Sequence, residues 1–217
     1  MPKITLDALD LAALLSSRIC HDVISPVGAI VNGLEVMEDE KDAGMRDFAL
    51  DLIAKSSKQA SARLQFARLA FGAAGSRGAE LDLGDVEKVA SGLFLDDKIT
   101  FSWQSPRIMV PKNKAKLLLN LIMLSTNAIP RGGQIAVTVE GEAVDCVFTV
   151  NAKGTQARIP ANVEELIAGE SENGTVDAHG IQPFFAGLVA RECGMGVTFT
   201  LDGETVTILA KTESPAE

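Results

Sequence analysis

Residues 19–34, ICHDVISPVGAIVNGL, contain the pattern that decides the first part of the fold. Apolar side chains recur there at steps of three and four residues, which is the spacing of one face of an α-helix. We therefore predict a helix over about residues 6–38, whose apolar stripe comprises Cys20, Val23, Val27, Ile30, Leu34 and Met37. Pro26 lies inside this helix and has no backbone N–H, so we expect a kink just after His21.

A second helix is predicted over about residues 42–71, with an apolar stripe of Phe48, Leu52, Ala60, Leu64, Ala67 and Phe71. The connection at about residues 40–44 is short, which favours two antiparallel neighbours. Because a two-helix hairpin cannot bury both apolar faces alone, we expect two copies of the chain to dimerise into a four-helix bundle. Residues 72–78, GAAGSRG, indicate a linker or helix stop, so we predict domains at 1–75 and 76–217.

After this linker the pattern changes to a mixture of strands and helices. We predict strands at about residues 99–103, 134–140 and 144–150, and a hairpin of 197–201 with 205–209 around Asp202-Gly203. Helices are predicted at about residues 85–94, 112–129, 163–168 and 183–193. Strands on one side and helices on the other form an α/β sandwich, so the fold class of the whole chain is α+β.

The composition argues against several classes of protein. A net charge of −9 disfavours a nucleic-acid-binding surface. We find no signal peptide and no apolar run long enough to predict a membrane span. The three cysteines, Cys20, Cys146 and Cys193, are far apart among apolar neighbours, which indicates reduced core thiols and a cytoplasmic protein. No cluster of Cys and His suggests a metal site.

His21 is one of two histidines, and it is followed at once by Asp22 and, five residues on, by Pro26. This pattern is typical of a helix whose histidine accepts a phosphoryl group, since neutral imidazole is a nucleophile at pH 7. The helical spacing predicts that His21 points outward, beside a small-residue face where another protein can dock. The residues predicted for docking are Arg18, Ser25, Gly28 and Asn32.

Two further polar residues have open interpretations. Asp22 could orient the imidazole or accept its proton, or it could be an ordinary solvated acid of the helix. We predict the first role, secondary to that of His21. The other histidine, His179, is predicted to be a loop or cap residue rather than a second acceptor.

Residues 19–34 resemble the ChpT family of histidine phosphotransferases from alphaproteobacteria. Other segments similar to that family follow in the same order along nearly the whole chain: 66–73 (FARLAFGA), 101–104 (FSWQ), 129–133 (IPRGG), 152–154 (AKG) and 157–158 (AR). The resemblance implies a homodimer whose helical bundle is like the dimerisation and phosphotransfer domain of histidine kinases. It implies a second domain that resembles a kinase ATP-binding (Bergerat) domain but no longer binds ATP.

The same resemblance implies a place in a phosphorelay. The phosphoryl group would pass from the receiver aspartate of a hybrid histidine kinase, CckA in the known pathways, to the cell-cycle response regulators CtrA and CpdR. His21 matches the position that is phosphorylated in the family. The chain itself would bind no cofactor, and Mg²⁺ would be held by the partner receiver domain.

Three segments of the second domain depart from the pattern of an ATP-binding kinase. In the long helix Asn127 is present, but Met123 replaces the first asparagine of N-x-x-x-N, and Asn120 lies seven residues before Asn127. The base-binding D-x-G-x-G segment is replaced by Asn151 to Thr155, NAKGT, which lacks the carboxylate. Bulky residues at 181–187, IQPFFAG, replace a glycine-rich phosphate lid. We therefore expect no nucleotide binding.

Two other functions remain open on the sequence alone. A phosphatase acting on receiver domains would use Ser25, one helical turn after His21, to position a water molecule. A non-catalytic dimeric adaptor with a kinase-like fold would need no chemistry at His21. The degenerate nucleotide segments argue against an active kinase.

Overall fold

Two long antiparallel helices form the N-terminal part of the chain in a computed structural model, which describes residues 1–39, 42–72, 79–94 and 98–213. They are α1 (Ala8–Asp39) and α2 (Ala43–Ala70), close to the predicted bounds. The side chain of Asp42 caps α2 by accepting a hydrogen bond of 3.0 Å from the Met45 amide. Residues 40–41 of the predicted connection, and residues 73–78 of the predicted linker, lie outside the described residues.

The two helices approach closely because small residues face each other. Gly33 is buried, and a Cβ added there would lie 2.7 Å from Ile53 Cγ1 and 3.3 Å from the Ala49 carbonyl oxygen. Pro26 is also buried, and α1 continues through it, so the proline does not end the helix. Small residues therefore set the spacing of the hairpin.

The hairpin leaves a broad apolar face uncovered in the single chain. Val27 and Leu34 of the predicted stripe are 44% and 50% exposed, and Phe48 of α2 is 65% exposed. By length and composition alone, α1 could cross a membrane, but one such helix is weak evidence for a span. Arg18, Asp22 and other polar residues interrupt α1, which is why no uninterrupted apolar run was predicted there.

A five-stranded sheet forms the centre of the second part of the chain, in the order β2-β4-β5-β7-β6. Its strands are β2 (Ile99–Gln104), β4 (Gly133–Glu140), β5 (Val147–Lys153), β6 (Met195–Asp202) and β7 (Thr205–Thr212). β2 and β4 pair in parallel, while β4-β5, β5-β7 and β6-β7 are antiparallel. The predicted hairpin around Asp202-Gly203 is confirmed, with Gly203 at a φ of 55°.

Helices cover this sheet, which confirms the α+β class. They are α3 (Leu83–Ser91), α4 (Lys112–Ala128), α5 (Val163–Ala168) and α6 (Ile181–Glu192). The buried side of α4 and the inner faces of the strands form one apolar core. Phe66 and Ala70 at the end of α2 belong to the same core, so the hairpin and the sheet are packed together.

Three parts of the fold differ from the sequence prediction. The strand predicted at 144–150 begins later, at Val147, because residues after Gly141 form a turn in which the Asp145 amide donates to the Glu142 carbonyl. A two-stranded antiparallel sheet of β1 (Glu80–Asp82) and β3 (Met109–Pro111) was not predicted, since strands of that length carry no clear alternation. The N-terminal segment pairs with the second part of the chain, where the Ile4 amide donates to the Gly169 carbonyl at 2.8 Å.

The expectation of three core thiols is correct for two cysteines and wrong for the third. Cys146 is buried and Cys193 is half-buried, and burial raises the pKa of the Cys193 thiol to about 11. Cys20 is exposed on α1, as are Val27 and Leu34 of the same predicted stripe. All three are free.

The close approach at Gly33 yields a stability prediction with a matched control. Gly33→Ala places a methyl group against Ile53 and the Ala49 carbonyl, so packing strain of about 1–3 kcal/mol opposes the gain in helix propensity. Gly28→Ala meets no atom within 4 Å and should raise the free energy of unfolding by up to about 1 kcal/mol. Urea unfolding of both variants should rank Gly28→Ala above wild type and Gly33→Ala below Gly28→Ala. Equal gains in the two variants would contradict the close approach of the helices.

Candidate functional site

His21 projects from α1 into solvent, and its side chain is 78% exposed. Ser25 and Asn32 follow on the same face and are also exposed, while a Cβ added at Gly28 would meet no atom within 4 Å. This face of α1 is therefore open around the imidazole, with the orientation that the helical spacing predicts. The docking role of Ser25, Gly28 and Asn32 stays a prediction.

Arg18 and Asp22 form an ion pair beside His21. Arg18 Nε lies 3.1 Å from Asp22 Oδ2, and the two side chains are only 19% and 22% exposed. The i,i+4 spacing on one helix face brings them together. Asp22 is thus a partly buried, partnered carboxylate rather than a freely solvated one. Arg18 was predicted for docking, and the structure shows that one of its nitrogens is engaged with Asp22.

The second carboxylate oxygen of Asp22 faces the imidazole. Asp22 Oδ1 is 3.7 Å from His21 Nδ1, which is too long for a hydrogen bond but close enough for a favourable interaction with a charged ring. Arg18 holds the other oxygen, so it fixes the direction in which Asp22 points. The arrangement places a negative charge near Nδ1 and leaves Nε2 as the nitrogen without that neighbour.

Arg63 of α2 is a site residue that the sequence analysis missed. Its Nη1 donates a hydrogen bond to the backbone carbonyl oxygen of Asp22. A signal was present, because Pro26 has no N–H to give to that carbonyl, which therefore needs another donor. The sequence indicates that the Asp22 carbonyl lacks its helical donor, but it does not indicate which residue donates instead.

A cavity of about 320 Å³ lies behind this site, between the hairpin and the second part of the chain. Arg18, Asp22 and Arg63 line one side. Apolar side chains from the sheet and its helices, including Phe94, Ile99 and Met123, line the other. The polar side chains beside His21 therefore face a cavity whose opposite wall belongs to the second part of the chain.

The two asparagines of α4, Asn120 and Asn127, lie in different surroundings. Asn120 is fully buried, and its Nδ2 donates to the Ala70 carbonyl at 3.0 Å and to the Lys116 carbonyl at 2.9 Å. Met123 lines the cavity described above, and Asn127 is exposed at the end of α4. Asn120 thus joins α4 to the end of α2.

The segment that replaces the base-binding motif is engaged in the sheet. Asn151 Oδ1 accepts a hydrogen bond of 2.7 Å from the hydroxyl of Thr207, its cross-strand neighbour on β7. Gly154 is packed so closely that a Cβ there would lie 2.4 Å from the Gly132 carbonyl oxygen. The side chain of Lys153 is exposed. This segment therefore makes contacts with the neighbouring strand and with the turn at Gly132.

The segment that replaces the phosphate lid is the first part of α6. Ile181, Gln182, Pro183 and Phe184 are all buried there, and Ile181 and Phe184 pack with Ile4 from the N-terminus. Both amide atoms of Gln182 are buried and have no hydrogen-bond partner within the described part of the chain. A buried helix takes the place of an open, glycine-rich loop.

His179 lies in the turn that precedes α6 and is exposed. The carboxylate of Asp177 accepts hydrogen bonds from the amides of His179 (3.0 Å) and Gly180 (2.8 Å). These bonds, with that from Gly180 first, lower the pKa of Asp177. Asp177 therefore stabilises the turn before α6, and His179 lies in that turn, as predicted for a loop residue. Among residues 1–39, 42–72, 79–94 and 98–213, no group of three His, Cys, Asp or Glu could hold a metal ion.

Comparisons with known proteins agree with this architecture. The sequence profile described as "Histidine phosphotransferase C-terminal domain" matches residues 83–205. The chain is 48% identical to the protein phosphotransferase ChpT of Brucella abortus (strain 2308) over 208 residues, which cover 96% of this chain and 98% of that protein. A solved structure of a bacterial phosphotransferase is 45% identical, with a TM-score of 0.88 and coverage of 97% of this chain and 100% of the other. The chain therefore belongs to the ChpT family of histidine phosphotransferases.

Proposed function

We propose that this protein relays a phosphoryl group from the receiver aspartate of a hybrid histidine kinase, through His21, to the receiver aspartates of response regulators. The relay is of the CckA to CtrA and CpdR type. The observation that supports this proposal most directly is the exposed imidazole of His21 on an open helix face, next to an Asp22 carboxylate that Arg18 holds in place. Membership of the ChpT family supports the reaction class.

The transfer is an in-line displacement at phosphorus. Nε2 of neutral His21 attacks, the P–N bond forms, and the bond from phosphorus to the aspartyl oxygen breaks, so that the oxygen leaves with the electron pair as a carboxylate. Asp22 Oδ1, at 3.7 Å from Nδ1, stabilises the positive charge that the ring gains and can hold the Nδ1 proton after a small rotation. The reverse displacement loads the second receiver.

Magnesium in this scheme belongs to the partner. A receiver-bound Mg²⁺ would neutralise charge on the moving phosphoryl group, while this chain supplies the nucleophile and its surroundings. The face around His21, with Arg18, Ser25, Gly28 and Asn32, is the docking surface that we propose for both receivers. Its small and polar residues leave room for a partner to approach the imidazole.

We propose a cytoplasmic homodimer as the working form. The exposed apolar residues of the hairpin supply the contact: Ile24, Val27, Val31 and Leu34 on α1, with Met45, Phe48, Leu50 and Leu64 on α2. An apolar surface of this extent costs free energy in water, and a second hairpin would cover it by forming a four-helix bundle. Its spacing of three and four residues along α1 matches the seam of such a bundle.

We further propose that the second domain does not bind ATP. Asn120 joins α4 to α2, Asn151 bonds to Thr207, and the buried start of α6 replaces an open lid. A receiver phosphatase is the second candidate, because Ser25 is exposed one turn after His21 and could position a water molecule. It would release inorganic phosphate without labelling the protein.

The relay proposal predicts label on His21 alone. Wild-type protein mixed with a radiolabelled, phosphorylated receiver domain of the hybrid kinase and Mg²⁺ should acquire acid-labile, base-stable label. His21→Ala should acquire none, while His179→Ala, the matched histidine control, should label like wild type. Inorganic phosphate released without any labelled protein would indicate a phosphatase instead, and full activity of His21→Ala in regulating a partner would indicate an adaptor.

The dimer proposal predicts a change of mass on one substitution. Val31→Glu, which places a charge in the exposed apolar face of α1, should convert the dimer to a monomer at micromolar concentration in sedimentation equilibrium. Leu201→Glu is the control, because Leu201 is as exposed as Val31 (49% against 48%) but lies on β6, away from the hairpin. That variant should remain dimeric. A wild-type protein that is monomeric at all concentrations would contradict the proposal.

The nucleotide proposal is tested by calorimetry. Titration of the wild-type protein with Mg-ATP to millimolar concentration should give only the heat of dilution, with an active histidine kinase as the positive control. Saturable binding of ATP would show that the second domain holds nucleotide despite its altered segments.

A further inference from the structure

Pro26 leaves one carbonyl of α1 without its helical donor. In an α-helix the carbonyl of residue 22 accepts a hydrogen bond from the N–H of residue 26, and proline has no N–H. The carbonyl that loses its partner belongs to Asp22, the residue next to His21. The ring of Pro26 is itself buried in the hairpin.

Arg63 supplies the missing donor from the neighbouring helix. Its Nη1 bonds to the Asp22 carbonyl oxygen, and the side chain is half-buried beside the cavity that Arg18 and Asp22 also line. A charged donor makes a stronger hydrogen bond to a carbonyl than a neutral one does. The guanidinium therefore replaces the lost backbone bond.

Asp22 is consequently held at both its backbone and its side chain. Arg63 of α2 binds the carbonyl, and Arg18 of α1 binds the carboxylate at 3.1 Å. The peptide group between Asp22 and Val23 therefore cannot rotate freely, although Pro26 has removed the regular helical hydrogen bond to its carbonyl. The direction of the imidazole depends on this turn of backbone, since the side chain itself is 78% exposed.

We propose that Arg63 is a positioning residue for phosphotransfer, which replaces the helical donor that Pro26 removes and so fixes the turn of backbone that carries His21. The proposal rests on His21 as the phosphoryl acceptor. Arg63 acts through the Asp22 carbonyl and not by contact with the phosphoryl group or the receiver.

A second arginine of α2 provides a natural control. Arg46 Nη1 donates to the carbonyl oxygen of Met37 in the last turn of α1. Both arginines therefore donate from α2 to a backbone carbonyl of α1. Of these two hydrogen bonds, the one made by Arg63 lies at the turn that carries His21. A comparison of variants at the two arginines therefore separates a general effect on the hairpin from an effect on the site.

A double-mutant cycle between Pro26 and Arg63 tests the physical link. In the Pro26 protein, Arg63→Met leaves the Asp22 carbonyl unpaired and should lower the folding equilibrium constant on the order of tenfold. In a Pro26→Ala background, the amide of residue 26 can bond that carbonyl, so the same change should cost less than about threefold. Arg46→Met should cost the same in both backgrounds.

The transfer rate from the phosphorylated receiver is the functional measurement. Arg63→Met should lower the rate at saturating receiver on the order of tenfold, with an unchanged half-saturating receiver concentration, because orientation of the nucleophile is lost and docking is not. Arg63→Lys should restore much of the rate, since an ammonium can also donate to the carbonyl. In the Pro26→Ala background, Arg63→Met should change the rate less than threefold, and Arg46→Met should leave it unchanged in either background.

Other outcomes overturn the proposal. An equal loss of rate on Arg63→Met in both backgrounds would mean that Arg63 touches the reactants or the receiver. Absence of any loss in the Pro26 protein, or a loss as large for Arg46→Met, would mean that the bond has no specific role at the site. If His21→Ala still acquires label, the proposed relay site is wrong, whereas the stability cycle still reports on the link between Arg63 and Pro26.

Discussion

The end of α2 is buried in the core that lies under the five-stranded sheet, and the position of the site follows from that junction. Phe66 and Ala70 are fully enclosed there, and the carbonyl of Ala70 accepts a hydrogen bond from the buried amide of Asn120. Since α2 is fixed at this end, Arg63, just one turn before Phe66 on the chain, is fixed as well. The hairpin then carries His21 at a set place relative to the second part of the chain.

Much of the fold was readable from the sequence because its elements are long and periodic. Both long helices, the hairpin around Gly203 and α5 were predicted near their observed bounds. Periodicity could not predict which side of α1 faces α2, because that depends on tertiary packing. The predicted stripe of Cys20, Val27 and Leu34 is apolar and exposed, yet the contact with α2 includes Gly33, since backbones can approach most closely at small residues.

The candidate site was also predicted only in part. The local pattern of His21, Asp22 and Pro26 predicted an outward-pointing histidine beside a carboxylate, and the structure has both, because neighbours on one helix are fixed by its geometry. Arg63 is far from them in sequence, and its position depends on how α1 and α2 pack, which no local pattern encodes. The short strands β1 and β3 were missed for a related reason, since they are defined by each other and not by their own composition.

Both ends of the hairpin are attached to the second part of the chain, and this has a mechanical consequence. Beyond the junction at Ala70, the Ile4 amide bonds to the Gly169 carbonyl just before α1 begins, and Ile4 packs on Phe184 of α6. A hinge needs a single flexible connection, and here the hairpin has two separate attachments. The two parts of the chain therefore form a bracket that is held at both ends, and under the relay proposed above the same surface would meet each receiver in turn without a swing of either part.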